Sequence, residues 1–428
     1  MRQKNMDCDL LVIGAGFSGM VAAARAASLG LSTIMAGNSS SLIFVSGLLD
    51  YLGVYPLETG DILDTPAQGL GRLIKDNPAH AYGKTGHEKI IQSFEFVREF
   101  LKDAGLSYYL SREKNLPVLT AMGTVKPSFM VPETMRKGTR LLGQEKRLLI
   151  MDIRGLQGFS ARQVAAGLDP DFSQVIPLTL EIPGITKTIP PVVLAALFED
   201  PKVQEAVVKQ LLPYSNQADI AGMPAICGVY NSLEIQQNLE AMTGLDLFEI
   251  PGIPPSIPGL RLKNAFEKAL AGRGVRFLSN TQIKAPVFNG KRFALTGMTD
   301  SGELSVSARG VILASGRFFG NGLHARRERI VETIFHLNVV QPVSRSLWHG
   351  VDFWTRQGHA INQAGVETDE RFRPLDERQR PVYQNLYAVG SILAHNDWAR
   401  LKSGSGVSMV SALAAVDDFY QVLGEPGR

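Results

Sequence analysis

The 428 residues can bury a large core and suit two or three domains, or one domain interrupted by an insertion. Lysine and arginine number 44 against 41 for aspartate and glutamate, so no strong chain-wide basic field argues for nucleic acid or an anionic membrane. The two cysteines, Cys8 and Cys227, form neither a CxxC nor a metal-ligand set, which speaks against disulfides, zinc and a cluster held by this chain alone and points to a reducing compartment. Arg2 and Lys4 precede apolar residues, but glycines follow at once and no signal peptide is expected. The longest apolar stretch, Leu10 to Ala24, ends at Arg25, short of the roughly 20 residues that cross a bilayer.

In chain order, Leu10 to Ile13 reads as a short strand, Gly14 to Gly19 as a turn, Met20 to Leu29 as an alanine-rich helix and Ser32 to Ala36 as a second strand. Gly14, Gly16 and Gly19 make a GxGxxG between strand and helix, the context in which that pattern points to a nucleotide. Gly14 permits the turn, Gly16 admits a phosphate close to the backbone, and Gly19 lets the helix approach the strand. A tightly packed strand-turn-helix without a ligand is the plainer alternative. The second strand lacks the acid that normally grips an adenosine ribose and offers Asn38 instead. Either other groups hold the ribose, or the ligand has no adenosine, as in FMN. Ser39, Ser40 and Ser41, then Ser46 and Gly47, can supply hydroxyls and amides to a phosphate or a flavin edge, or form a solvated, capped loop.

Residues 56–255 switch to mixed helices and proline-punctuated loops and read as an insertion, in which "KRLLIMDIRGL" and "FSARQVAAGL" suggest a strand and a helix. Past "PGIPPSIPG", "LRLKNAFEKALAGRG" has helical spacing, "VRFLSNTQIKAPVFNGKRFALTGMT" reads as strands joined at Asn289-Gly290, and "GVILAS" is a buried strand. A second glycine run, Gly320, Gly322 and Ala325, is separated from that strand by "GRFF" and so is not placed as a phosphate cradle. "NLYAVGS" ends a strand at Gly390, and "SGSGVSMVSALAA" puts Gly404 and Gly406 before a terminal helix whose N-terminus suits the pyrimidine edge of a reduced flavin. Two glycine turns from opposite ends of the chain favour one shared flavin. The expected fold is α/β: a Rossmann-like flavin domain from 1–55 and 256–428, with an inserted α/β (α+β) domain at 56–255.

The quoted segments "GAGFSGMVAAARAASLGL", "SSSLIFVSGLLDYL", "PPSIPGLRLKNAFEKAL", "VILASGRFFGNGL", "GVETDERFRP" and "NLYAVGSILAHND" together resemble the B subunits of anaerobic glycerol-3-phosphate dehydrogenase nearly end to end. More distantly, the layout is similar to the fumarate reductase and succinate dehydrogenase flavoproteins. The resemblance implies a peripheral flavoprotein at the cytoplasmic face of the membrane, working with a larger flavoprotein subunit and an iron-sulfur anchoring subunit. Such a complex oxidises glycerol 3-phosphate to dihydroxyacetone phosphate and passes electrons to quinone. It also implies FMN, with FAD as the alternative. One departure is "KSGSGVSMVSA", which has no thiol where the family carries a cysteine-containing stretch.

The cofactor residues expected are Gly14, Gly16, Phe17, Ser18, Gly19, Asn38, Ser39, Ser40, Ser46, Gly47, Ser315, Gly316, Gly390, Ser391, Gly404, Gly406 and Val407, with no metal ligand. Arg317, Arg345 and His349 are the catalytic candidates, although isolated arginines and histidines are more often surface or structural. Two other readings stay open: a self-sufficient flavin oxidoreductase for another hydroxy acid or an enoate, and a flavin-free scaffold subunit. Whether the phosphorylated substrate binds here or on the larger subunit stays open too.

Overall fold

The computed structural model describes residues 4–141, 146–168, 174–299 and 302–424. They form two compact units, one of residues up to Ser41, Asp50–Ala104 and onward from Phe266, the other of Leu42–Leu49 and Gly105–Ala265. Among the described residues no helix is long and apolar enough to cross a membrane.

The first unit is α/β. It contains β1 (Lys4–Ile13), α1 (Phe17–Ser28), β2 (Thr33–Gly37), α2 (Ala81–Asp103), the end of α3 (Ile257–Gly272), β3 (Arg276–Ser279), β4 (Gln282–Phe288), β5 (Phe293–Thr299), β6 (Gly302–Leu313), β7 (Leu386–Ala388) and α4 (Gly404–Leu423). The sheet order is β3-β2-β1-β6-β5-β4, with β7 also on β6. Strands β3, β2, β1, β6 and β7 are parallel, and β6, β5 and β4 form an antiparallel meander. Leu10 to Ile13 can be apolar without interruption because β1 is central and buried on both faces. The β4-β5 turn is fixed by Asn289, whose Oδ1 accepts from the Lys291 and Arg292 amides, while Gly290 takes a left-handed φ of 89°.

Helix α1 lies against α4, with Arg25 paired to Asp417 at 2.6 Å. Helix α2 buries Ile90, Phe94, Val97 and Leu101, a helical stripe, and packs on α4. That contact explains a difference from the expected boundary: residues 56–104 cluster with the first unit rather than with the insertion. Two smaller differences are local, since α1 begins at Phe17 and β2 runs one residue further, to Gly37.

The second unit has a parallel sheet of Asp246–Ile250, Ile220–Pro224, Arg147–Ile153 and Gln174–Leu180, in that order. Along Arg147–Ile153 the side chains alternate between two cores: Leu149, Met151 and Ile153 enter one, Leu148 and Ile150 the other. Glu249 and Arg261 are buried here as a bidentate pair, at 2.6 and 2.9 Å. Burial raises the Glu249 carboxyl, but the Arg261 charge and hydrogen bonds from Arg261, Thr134 and the Cys227 amide hold it below the ordinary glutamate range.

Candidate functional site

Strand β1 ends at Ile13, and the Gly14 amide donates to the Ala36 carbonyl at 2.8 Å, drawing the turn against the end of β2. Gly14 has φ +109°, and a Cβ there would sit 2.2 Å from the Ala314 carbonyl oxygen just past β6. A Cβ on Gly19 would sit 1.9 Å from the Gly14 carbonyl oxygen. Both glycines are therefore required by the fold itself.

Gly16 is different. Its φ of −75° is open to any residue, and a Cβ would meet only the Ser41 hydroxyl, at an ordinary 3.5 Å. Neither backbone conformation nor packing asks for glycine at the N-cap of α1. As N-cap it makes no side-chain hydrogen bond to the first helical turn, which leaves the first-turn amides uncapped by a side chain, the arrangement a phosphate at a helix N-terminus uses. This is the fit of the cradle to a dinucleotide or flavin phosphate.

Two other stretches of the expected set meet this turn, and a third, the first turn of α4, is fastened to Asp50 and Ser403. Gly390, with φ +76°, lies so close to Ser18 that its Cβ would be 2.4 Å from the serine hydroxyl, and its amide donates to Ser411 of α4. Gly316, at φ +70°, lies opposite Ser391, whose hydroxyl is 3.5 Å from the would-be Cβ. Ser315 carries a buried hydroxyl that has no hydrogen-bond partner among the described residues. The first turn of α4 holds Gly404, Gly406 and Val407; the Gly406 amide donates to the Asp50 carbonyl at 2.9 Å and Val407 to Ser403. The discounted glycines, Gly320 and Gly322, pack on the backbone of Ser315 and Gly316 and serve that turn.

Beyond β2, Asn38 donates to Asn280 and accepts from the Ser40 amide, a local turn. Ser39 donates to the Glu267 carboxylate at 2.6 Å. A carboxylate therefore does stand beside the end of β2, supplied by α3 and 228 positions away in sequence. Nothing local in the sequence flags it. Ser46 and Gly47 fall in the other unit, where the Gly47 carbonyl accepts from Tyr108 and Ser46 accepts from the Leu48 amide.

The catalytic candidates divide. Arg317 is largely buried and donates to the carbonyls of Asn362, Leu393 and Asn396; burial lowers it to about 10, against the pull of Asp397. It fastens the loops around the β7 turn. Arg345 donates to the Arg326 carbonyl on an exposed loop, and the His349 ring lies 5.3 Å from that of His359. His80, which the sequence does not single out, is fully buried: its Nε2 bonds Asn396 Oδ1 and its Nδ1 accepts from the Tyr82 amide. Both thiols are buried, and burial pushes Cys8 up to about 12. Among the described residues no group of three or more potential ligands could hold a metal ion.

The family described as FAD binding domain matches residues 9–407. The B subunit of the anaerobic glycerol-3-phosphate dehydrogenase of Vibrio vulnificus (strain YJ016) is 31% identical over 424 residues, covering 96% of each chain. That of Aliivibrio fischeri (strain ATCC 700601 / ES114) is 25% identical, covering 98% of this chain and 96% of its own. Among solved structures, the 3-ketosteroid Δ1-dehydrogenase of Sterolibacterium denitrificans aligns over 97% of this chain and all of its own, with 13% identity and a TM-score of 0.46.

Proposed function

Because this chain belongs to the FAD binding domain family and, within it, to the B subunits of anaerobic glycerol-3-phosphate dehydrogenase, we propose that it is the flavoprotein component through which electrons from glycerol 3-phosphate oxidation pass towards quinone. The observation that carries the reading is Gly16 at the start of α1, where neither φ nor a close neighbour asks for glycine and where a phosphate needs room beside the backbone. When bound, the flavin accepts an electron pair and releases electrons singly.

The chain's own residues bind and orient. The α1 amides after Gly16 would hold the phosphate end, the Ser315-Gly316 and Gly390-Ser391 turns would flank the group, and the first turn of α4 would offer its positive dipole to the electron-rich part of the flavin. Neither cysteine belongs to a cluster-binding set. Donor and acceptor are therefore placed on companions, a larger dehydrogenase subunit and an iron-sulfur subunit at the inner membrane face.

We assign FAD rather than FMN. The missing ribose acid suits FMN, but the Glu267 carboxylate beside Ser39 supplies that chemistry from another element. The mass of the flavin released from the native protein tests the assignment: FAD is expected, and FMN alone would overturn it. Glu267→Gln should then weaken FAD retention about tenfold while leaving added FMN unaffected, since FMN has no adenosine ribose. Equal loss of both would remove Glu267 from the ribose grip.

A further inference from the structure

A local surface contradicts the even charge balance of the chain as a whole. Between Val343 and Trp354 five large apolar side chains stand in solvent: Val343 at 94%, Leu347 at 55%, Val351 at 104%, Phe353 at 74% and Trp354 at 88% exposure. Phe353 and Trp354 touch edge to face, 4.8 Å between centroids, so the aromatic pair projects together. Exposures this close to complete belong to a protruding tip, whereas a preformed protein-binding groove or flat face leaves its apolar side chains partly covered by one another.

The tip is braced. Trp348 is buried at its root with the Arg345 guanidinium 5.0 Å over its ring. His359 closes the loop: Nδ1 accepts from the Gly350 amide at 3.0 Å, and Nε2 lies 3.1 Å from the Phe353 carbonyl. Arg400 donates to the carbonyls of Arg356 and Gln357. The aromatic pair is thus held out by a preorganised loop.

Arginines surround it. Arg345 donates to the Arg326 carbonyl, which joins this loop to the segment 324–329 with its exposed Arg326, Arg327 and Arg329. Over 324–329 and 343–359 together the sequence carries five arginines, the fifth being Arg356, against Glu328 and Asp352.

We propose that this tip is a docking surface for an anionic phospholipid bilayer. Phe353, Trp354 and Val351 enter the interfacial layer, where amphipathic aromatic rings are favoured, and the arginines meet lipid phosphates. A bilayer accepts a convex aromatic tip without a matching cavity, and its negative charge complements the arginines. The proposal is independent of the flavin reading, and it places this chain itself at the lipid surface rather than only through companions.

The test is flotation of the purified full chain with extruded vesicles of equal parts phosphatidylglycerol and phosphatidylcholine, or of phosphatidylcholine alone, with tryptophan emission recorded. The protein should float with the anionic vesicles at low salt and shift its emission to the blue. Binding should fall at least tenfold in Phe353→Ser/Trp354→Ser, whose exposed sites leave the fold intact, as a thermal melt checks. Arg326→Gln/Arg327→Gln should weaken anionic-vesicle binding and flatten its salt dependence. No flotation at low salt, or a serine variant that floats like the parent, would overturn the proposal. So would a parent that ignores vesicles while the companion dehydrogenase subunit shields Trp354 from acrylamide, which would make the tip a protein interface.

Discussion

His80 shows how one residue type changes meaning with its surroundings. Lone histidines in sequence are ambiguous, but this ring is buried, donating from Nε2 to Asn396 and accepting at Nδ1, a pattern only the neutral form satisfies. Burial lowers it to about 4, against the Asn396 hydrogen bond, from an ordinary 6.5. The unfolded chain therefore binds this proton at a higher pH than the folded one. The stability contributed is complete above 6.5 and is lost as pH falls from there towards about 4, a loss on the order of 3 kcal/mol. Urea unfolding at pH 7 and pH 5 should show a steeper loss in the parent than in His80→Gln. Parallel profiles would mean that the ring is not held neutral.

At the scale of elements, the strand-turn-helix opening is legible because its signals are local: an apolar run, three glycines and alanines at helical spacing. The C-terminal strand and helix are legible for the same reason. What the sequence does not display is partners brought together from far apart. Helix α2 joins the first unit through Tyr82, whose hydroxyl donates to the Tyr51 and Ser403 carbonyls. The α4 glycine Gly406 gives that hydroxyl room, since a Cβ there would stand 2.2 Å from it and 3.0 Å from the Asp50 carbonyl oxygen. Gly406 is thus explained by packing between α2 and α4, whatever it does for a ligand. Gly406→Ala should lower stability by about 1–3 kcal/mol, and adding Tyr82→Phe, which removes the hydroxyl in the way, should recover part of it. Calorimetry on the single and double variants checks this, and a double variant no more stable than the single would place the clash elsewhere.

The same limit applies to the proposed ribose grip: the end of β2 carries no acid in the local sequence, and Glu267 beside Ser39 is visible only in the fold. At the loop of Arg345 and His349 the sequence shows aromatic and basic residues close together but not which way they face. Folding turns that segment outward, with Phe353 and Trp354 in solvent.

For the whole molecule, the proposed function puts the electron donor and acceptor on companion subunits. The chain alone should then turn over glycerol 3-phosphate with an artificial acceptor at least a hundredfold more slowly than the chain with its larger dehydrogenase companion, a loss of about 3 kcal/mol in barrier terms. Full turnover by the isolated chain would move the substrate site here and bring the self-sufficient oxidoreductase reading forward.

The proposed function requires that Gly16 be glycine for the sake of a flavin phosphate. Its direct test is the flavin absorbance per chain of purified parent, Gly16→Ala and Gly16→Val, each with a thermal melt. The fold tolerates a Cβ at this position, with only the Ser41 hydroxyl at 3.5 Å, so all three should melt cooperatively within a few degrees of one another. The parent should retain flavin near one per chain, Gly16→Ala less, and Gly16→Val under a tenth of the parent. A folded Gly16→Val that keeps its full flavin, or a folded parent that never holds any, would overturn this reading of Gly16.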